Sequence, residues 1–487
     1  MFQTTINHTN FLFTHQLRYF LLMLVCCMCV NNVFAQSFKV NSENTADFPK
    51  DVNTFMEASK NPNAIKAGKD FEGVWGNLSE SQQKQIIAIA KKMAAKKFKA
   101  VPFFVQFFSG LASGVSKLSM ASGEIDKLLM VTEKVIDKND ARLTTAFFEA
   151  GSLFLDRRAL FAARGNRLYA LEGSFSFDWK EGDTAPAVID TVVAYDANGR
   201  PIEPTTSTQP EIAGPVLVFK DINLVFASNP DSVQLQKTSG SFMFKDRIFV
   251  GKSGKFDWSN LGKPEVYADF QEYSFNTKAA RLHAENVTFH YDSVLVKPAN
   301  GVFDFEAKSH KGIKDAVFPR FTSQDNDVSL KNIGQNLVYQ GGFSLSGSNK
   351  FTSSNALNKF STLSYLEKDS LKFKLSSRIF EFKDSLITSP STAIFIYNYK
   401  NAMDRRDSVI YHPSVVLKYT KNSKILQLNR QNNGSRNVPY ANYHHKVDMR
   451  VDVLKWLMDS TKIEMYMIRG RDSLPALFVS IFYFNER

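Results

Sequence analysis

Polar and apolar residues alternate from about residue 164 onwards, in segments of about fourteen residues that share one plan. Each segment begins with alternating apolar residues, is interrupted by Pro, Gly, Ser or Asn, and ends with alternating aromatic residues. A period of two is typical of strands that bury one face, so each segment predicts a short strand, a turn and a second short strand. Five segments open with Asp-Ser, a pair that favours turns: Asp231–Phe244, Asp292–Phe305, Asp369–Phe382, Asp384–Tyr397 and Asp407–Tyr419. Three looser copies are Arg164–Phe177, Lys245–Trp258 and Lys278–Tyr291.

A single pair of short strands is marginally stable in water, so the segments are expected to stack and to bury each other's apolar faces. They predict an elongated, irregular β-repeat domain over residues 166–443. The polar, Asn-rich stretch Leu426–Tyr443 predicts a loop, and the alternation after His445 predicts further strands of the same domain over residues 444–487. A β-solenoid and an open β-roll both fit the pattern. A closed outer-membrane barrel is a third possibility, but the short predicted strands speak against it, because a spanning strand needs about 9–11 residues. Because Asp-Ser is common in turns, chance similarity between the segments is the alternative explanation.

Residues 36–165 have apolar residues at helical spacing instead. Ser79-Glu80-Ser81-Gln82 matches a capping box, in which side chains at the helix start satisfy free backbone N–H groups. Pro102 separates two helical stretches, and Asp140 is expected to cap a helix that runs from Ala141 to about Ala163. The predicted fold class is therefore α+β, with an N-terminal α-helical bundle followed by the elongated β-repeat domain.

The first 35 residues have the pattern of a secretory signal peptide. Their apolar run, Tyr19–Val30, is too short to cross a bilayer as a helix, and the small residue Ala35 predicts cleavage before Gln36. An uncleaved anchor and a lipoprotein site at Cys26 are the alternatives. All three cysteines lie in the run, so the mature chain has none for a disulfide or a metal site. We therefore expect an exported bacterial protein in the periplasm, at the outer-membrane surface or outside the cell.

The chain carries a formal net charge of +12, from 60 Lys and Arg against 48 Asp and Glu. Such a balance suits an acidic partner such as anionic lipid or glycan, and it also serves solubility alone. The basic stretch Lys91–Lys99 is expected to be the solvated side of a helix, with contact to an anionic membrane surface as the alternative. The apolar stretch Phe103–Phe108 is expected in a helical core rather than in a membrane. Basic residues are spread through the chain, and we expect no nucleic-acid partner.

Motifs that carry chemistry are sparse, and the sequence assigns no catalytic, cofactor-binding or metal-binding residue. Gly251-Lys252-Ser253 resembles the end of a phosphate loop, but it lacks the earlier glycine and a following helix, so a turn is expected. HExxH and GxSxG are absent, and Gly342–Ser346 lacks the last glycine of the second motif. Because a zinc site needs several ligands to converge, structural or surface positions are expected for His283, His290, His310, His412, His444 and His445.

Stacking of the Asp-Ser segments would bring their aspartates into a row. Such a row would suit calcium, which prefers oxygen ligands, whereas turn capping explains each aspartate without any ligand. The cluster Asp404-Arg405-Arg406-Asp407 contains the residue types that polysaccharide lyases and hydrolases use on β-helices, and a charged turn is the expected alternative. We therefore expect neither a metal nor a cofactor.

Two of the looser segments resemble the strand pairs of the OstA-type periplasmic proteins of lipopolysaccharide transport. They are Ala280–Tyr291 (ARLHAENVTFHY) and Asn166–Phe177 (NRLYALEGSFSF). The resemblance covers about 250 residues as a pattern of apolar alternation around turns. It implies short strands stacked into an open, twisted β-roll whose inner face carries lipid. The layout of export signal, helical front and irregular β repeats also resembles large uncharacterised envelope proteins of bacteria.

Taken together, these features predict a non-enzymatic exported envelope protein, which acts as a binding or structural scaffold along its β surface. Its partner is expected to be an anionic lipid, a glycan or an envelope protein. The last strands would leave an open C-terminal edge that can pair with another chain. A carbohydrate-active enzyme, a lyase or hydrolase on a β-helix, is the alternative. An apolar trough would favour the lipid carrier, and a filled interior would favour the scaffold.

Overall fold

The computed structural model describes residues 38, 45–182, 194–195, 201–202, 209–228, 232–279, 281–307, 312–348, 350–397, 408–431, 438–460, 462–469 and 472–480. The predicted signal peptide, residues 1–35, lies outside these ranges. The chain divides into two compact units, Met1–Lys138 and Asn139–Arg487. Helices come first and a large, mostly strand domain follows, as the pattern predicts.

The starts of the helices in the first unit follow from local sequence. The side chain of Asn61 accepts hydrogen bonds from the backbone N–H groups of Asn63 and Ala64, and so caps the second helix. The capping box predicted at Ser79 is confirmed, because Ser79 and Gln82 each accept a hydrogen bond from the other's backbone. The helices of this unit are α1 Phe48–Ala58, α2 Pro62–Trp75, α3 Glu80–Ala95, α4 Val105–Ser116 and α5 Ser122–Asp137.

Aromatic side chains form the core of the first unit. The rings of Phe71 and Phe108 lie 4.5 Å apart between centroids, and those of Phe48 and Trp75 lie 5.4 Å apart. Phe104 and Phe108 are fully buried, as the core interpretation of the Phe103–Phe108 stretch predicts. Burying one such side chain contributes about 1.5–3 kcal/mol, so this cluster is a main source of stability for the helices.

A sixth helix, α6 Ala141–Arg157, belongs to the second unit. Asp140 caps it as predicted, because its side chain accepts a hydrogen bond from the N–H of Leu143. The prediction that this helix continues to about Ala163 was wrong. Arg158 adopts a left-handed conformation with φ of 53° and ends the helix, and the next residues pair with a neighbouring strand instead.

Strands form most of the second unit, and its described ladders are antiparallel. One ladder pairs only β4 Ala194–Tyr195 with β5 Pro201–Ile202, and the other strands belong to one sheet. They are β1 Ala159–Ala163, β2 Asn166–Leu171, β3 Ser174–Lys180, β6 Gly214–Ser228, β7 Ser232–Met243, β8 Ile248–Lys252, β9 Lys255–Trp258, β10 Lys263–Phe270, β11 Glu272–Asn276, β12 Arg281–His290, β13 Ala299–Glu306, β14 Arg320–Ser323, β15 Leu337–Gln340, β16 Ser344–Ser346, β17 Lys350–Thr352, β18 Ser361–Glu367, β19 Ser370–Ser377, β20 Glu381–Phe382, β21 Leu386–Tyr397, β22 Ser408–Thr420, β23 Ile425–Arg430, β24 Tyr440–Asn442, β25 Val447–Arg450, β26 Val453–Leu457, β27 Ile463–Arg469, β28 Asp472–Pro475 and β29 Leu477–Ser480.

Several predicted turns are bends, because the chain continues in the same direction after them. Strand β7 runs through the middle of its segment, and its two halves pair with different strands: Ser239–Met243 with β8, and Leu235–Gln236 with β9. Strands β8 and β9 therefore lie end to end along β7, although their segment predicts two strands separated by a turn. The register between β6 and β7 shifts twice between Phe219 and Leu224, as in a β-bulge.

Buried hydroxyl groups satisfy polar atoms at these bends. Thr238 Oγ1 donates to the carbonyl of Ser253 and lies 2.6 Å from the hydroxyl of Tyr273. Ser353 Oγ accepts from the N–H of Phe380 at 2.8 Å. Ser377 Oγ accepts from the N–H of Ile379 at 3.1 Å. A buried backbone group without a partner destabilises a fold, so these side chains allow the strands to bend.

Because the strands bend, their two halves belong to two rows of paired strands, and these rows face each other across a shared apolar interior. Ring centroids lie 5.4 Å apart for Phe226 and Phe275, and 5.2 Å apart for Tyr339 and Phe382. In each pair one ring comes from each row. The sheet is not closed: among the described strands, β1 pairs only with β2 and β28 only with β27.

Candidate functional site

One end of the strand interior is covered by α6. Phe154 on this helix packs against Phe175 and Phe219, with centroids 4.8 and 5.5 Å apart. Glu149, also on α6, accepts a 2.8 Å hydrogen bond from the guanidinium of Arg247, whose side chain is mostly buried. Burial lowers the pKa of Arg247, and Glu149 opposes that shift. The helix therefore closes the apolar interior at the β3 end.

The opposite end of the described sheet, which we call the terminal rung, consists of β25 to β29. Opposite residues of an antiparallel pair share one face. Met449 in β25 is almost fully buried and lies opposite Phe478 in β29. Phe478 therefore faces the interior, yet its side chain is 55% exposed. The apolar interior is open at this end of the described chain.

Two strands of the terminal rung have one described partner each. In the described part of the chain, β29 pairs with β25 alone, and β28 pairs with β27 alone. On the outer face of β29, Leu477 and Val479 are exposed as well. An edge strand with exposed apolar side chains is a template for pairing with a further strand, so this rung is the candidate binding site.

A second cluster lies on the outer face of β9, β10 and β12. The ring of Tyr267 stacks on His290, with centroids 4.4 Å apart and planes 8° apart. Lys255 Nζ lies 3.9 Å from the centre of the Tyr267 ring, and His290 Nε2 lies 3.1 Å from Asp269 Oδ2. The cluster combines an aromatic surface with charges of both signs, which is chemistry that suits a sugar ring or a charged group.

The structure places the described histidines at separate positions. His283 Nδ1 lies 2.7 Å from Asp304 Oδ1, and this hydrogen bond raises the pKa of His283. His412 is fully buried, and burial lowers its pKa. His444 and His445 lie in the turn between β24 and β25, whereas His310 lies outside the described residues. No three His, Cys, Asp or Glu side chains in the described ranges converge to hold a metal ion.

The aspartates that open the Asp-Ser segments lie in exposed turns where the structure describes them. Asp369 occupies the turn between β18 and β19 with φ of 63°, and Asp384 lies in the bend between β20 and β21. Asp292 follows β12 in another turn. The remaining members, Asp231 and Asp407, and the predicted charged cluster Asp404–Asp407 lie outside the described residues.

Two lysines of the predicted basic stretch bind acidic or carbonyl oxygens within the first unit. Lys92 Nζ lies 2.7 Å from Glu133 and 2.9 Å from Asp137, both on α5. Lys96 donates to the carbonyl of Ile136. These contacts hold α3 against α5. Among the described helices, none is both long and apolar enough to span a bilayer.

Part of the stretch Leu426–Tyr443, which the sequence predicts as a loop, forms strands β23 and β24. Its Asn-rich character hides the alternation of Leu426, Leu428 and Arg430 along β23. No signal in the sequence therefore marks Arg430 and Tyr440 as buried polar residues, and the open edge predicted near the last strands stays a prediction.

No protein-family model, curated protein or solved structure matches the chain. The resemblance to the OstA-type proteins therefore stays a prediction, and function has to be inferred from the residues described above.

Proposed function

We propose that the chain is a non-enzymatic exported envelope protein, and that its strand domain is an open β-roll that accepts a strand of another polypeptide at the terminal rung. Phe478 is the observation that carries this proposal, because it faces the interior and is 55% exposed. Strand addition combines main-chain hydrogen bonds along an edge with pockets for alternate side chains. The edge Leu477–Val479 supplies the hydrogen-bonding groups, and the open interior beside Phe478 supplies the pocket.

The packing of the interior favours a protein partner over a lipid. Phe256 and Phe303 lie 4.8 Å apart between ring centroids, and Phe289 and Phe321 stack at 4.3 Å. Phe303, Phe289 and Phe321 are fully buried. These side chains occupy the space along β9–β14 that an acyl chain would need, so lipid carriage, the function implied by the OstA-type resemblance, is the less favoured proposal.

Photo-crosslinking in cells that export the chain tests the strand-addition proposal. A photoreactive phenylalanine replaces Phe478. In a matched control it replaces Val296, a 57% exposed residue between β12 and β13, far from Phe478 in sequence. We expect position 478 to give a crosslinked polypeptide of defined mass and position 296 to give none. Crosslinking only to lipid or glycan, or equal products from both positions, would overturn the proposal.

A carbohydrate-active enzyme is the second candidate, and the Tyr267–His290 stack with Asp269 is the observation on its side. An aromatic ring can bind a sugar face while a nearby carboxylate acts as acid or base. Purified chain and its Asp269→Asn variant would be incubated with neutral and acidic polysaccharides, and new reducing or unsaturated ends would be measured. Products formed by the wild type and lost in the variant would favour the enzyme over the scaffold.

A further inference from the structure

Two buried hydrogen-bond donors near the terminal rung have no partner in the described residues. Tyr440, the first residue of β24, is fully buried, and its hydroxyl makes no hydrogen bond. Arg430, the last residue of β23, has a buried Nε–H that is also unpaired. Nearly all buried polar groups in folded proteins are hydrogen-bonded, to protein or to ordered water. Two orphan donors in one region therefore point to a ligand.

Neighbouring groups are already satisfied by one another. Arg430 Nη2 donates to Asp452 Oδ1 at 3.1 Å, and Asp452 Oδ2 accepts from the N–H of Ile468 at 2.8 Å. His412 Nδ1 accepts from the N–H of Ser414, and its Nε2 lies 3.0 Å from the carbonyl oxygen of Val438. With both ring nitrogens engaged in this way, His412 is neutral and donates through Nε2.

Arg430, Tyr440 and His412 belong to one neighbourhood. The ring of His412 lies 4.5 Å from that of Tyr440 between centroids. Arg430 lies opposite Val415 of β22, and Ala441, next to Tyr440, lies opposite Tyr411 of the same strand, so the ends of β23 and β24 meet along β22 beside His412. The charge of Arg430 lowers the pKa of the Tyr440 hydroxyl, against the larger upward effect of burial. The missing group must therefore accept hydrogen bonds close to a guanidinium.

The donor set favours an anion over a water molecule. A buried water forms about three hydrogen bonds and needs acceptors for its own hydrogens. The Asp452 and Val438 oxygens each already accept one hydrogen bond, so a water would have to use their second lone pairs. An anion needs no acceptor, and an Arg N–H bond to a charged group is stronger than a neutral hydrogen bond.

We propose that Arg430 and Tyr440 bind one small monovalent anion, of the class of chloride, between the ends of β23 and β24. The anion accepts from Arg430 Nε–H and Tyr440 O–H and so satisfies both orphan groups. Because it connects two strands next to the terminal rung, it acts as a structural ligand of that end of the sheet. This inference is independent of the proposed strand partner.

Thermal unfolding of the full mature chain in sodium chloride and in sodium gluconate, at equal ionic strength, tests the site. A ligand that binds only the folded state raises the midpoint temperature in a concentration-dependent way, here by about 1–2 °C, because the shift becomes smaller as the chain becomes longer. We expect the chloride-specific rise in the wild type and its loss in Tyr440→Phe. The matched control Tyr419→Phe, another buried tyrosine, should keep the rise.

A direct readout of the ion completes the test and does not depend on stability. Chloride-35 NMR line broadening by the folded wild type should fall in Tyr440→Phe and in Arg430→Lys, which keeps the charge but lacks Nε–H. Equal midpoints in both salts together with equal line widths for wild type and variants would overturn the proposal and leave the pocket to water. Broadening that persists in both variants would place the anion elsewhere and would overturn it as well.

Discussion

At the scale of single residues, the bend of β7 depends on the buried hydroxyl of Thr238 and on the absence of a side chain at Gly251. Gly251 lies beneath the ring of Tyr273, and a Cβ at residue 251 would stand 2.1 Å from the ring carbon Cζ. This close approach lets the Tyr273 hydroxyl reach Thr238 Oγ1 at the bend of β7. Burial raises the pKa of Tyr273 well above its ordinary value, so the pair remains neutral and hydrogen-bonded at all physiological pH values.

The substitution Gly251→Ala should therefore destabilise the strand unit. A methyl group must displace the Tyr273 ring, and overpacking of this kind typically costs about 1–3 kcal/mol. The free energy of unfolding in urea would be compared with that of Gly312→Ala, where the nearest atom to a built Cβ is a carboxylate oxygen 3.9 Å away. Equal stabilities for the two variants would contradict the close packing at Gly251.

His412 predicts a pH dependence of stability. Its pKa is lowered in the folded state because burial disfavours the charged ring. The unfolded chain therefore binds more protons below about pH 6.5, and stability is lost as the pH falls from that value towards the folded-state pKa. In His412→Gln, the loss of unfolding free energy between pH 7.5 and pH 5.5 should be smaller than in the wild type.

His283 provides a control of opposite sign. The hydrogen bond to Asp304 raises its pKa, so its contribution is fully present below about pH 6.5 and is lost as the pH rises through the folded-state value. The substitution His283→Gln should therefore not reduce the acid-induced loss of stability. If both variants kept the wild-type profile between pH 7.5 and pH 5.5, neither histidine would control it.

At the scale of elements, the sequence predicted the alternating faces well and the connections poorly. Period-two alternation identifies inner residues such as Phe242 and Phe244, because burial acts on every second residue of a strand. Pro, Gly and Ser in mid-segment predict turns, since they disfavour regular pairing. Whether such an interruption reverses the chain or only bends it depends on the strand alongside. For β8 and β9 that strand is β7, which pairs with both.

At the end of α6, the local helical pattern of the sequence and the pairing of neighbouring strands favour different structures. Apolar residues continue at helical spacing through Leu160 and Phe161, so the pattern extends the helix. Pairing of β1 with β2 outweighs that propensity, and Arg158 takes the left-handed conformation that redirects the chain.

The candidate site was predictable only in outline. An open last edge follows from alternation, but the exposure of Phe478 and the orphan groups of Arg430 and Tyr440 depend on strands far apart in sequence.

The substitution Phe154→Ala tests the role of α6 as a cover for the strand interior. Phe154 is fully buried against Phe175 and Phe219, and truncation of a buried Phe typically costs about 3–5 kcal/mol. The free energy of unfolding in urea, monitored by far-UV circular dichroism, would measure the change. Leu171→Ala, at an exposed residue of β2, serves as the control. A similarly small loss of stability in both variants would contradict the role of α6 as a cover for the strand interior.

At the scale of the whole strand domain, the two ends differ in how the interior is closed. Phe147 and Phe154 of α6 pack on inner residues at one end. At the other end of the described sheet, Phe478 is exposed on the inner face and β29 has one paired side. Stacked β architectures need covered ends for solubility. Among the described residues, an end with an exposed apolar residue and a strand that has one described partner is suited to a partner strand.

Native mass spectrometry of the mature chain, purified gently from the bacterial envelope, tests the central claim most directly. We expect a complex with a polypeptide in the wild type, its loss in Phe478→Asp, and no lipid or glycan adduct after incubation with envelope extract. A lipid or glycan mass that persists in Phe478→Asp, with no polypeptide partner, would contradict the scaffold and support a carrier whose ligand lies elsewhere on the sheet.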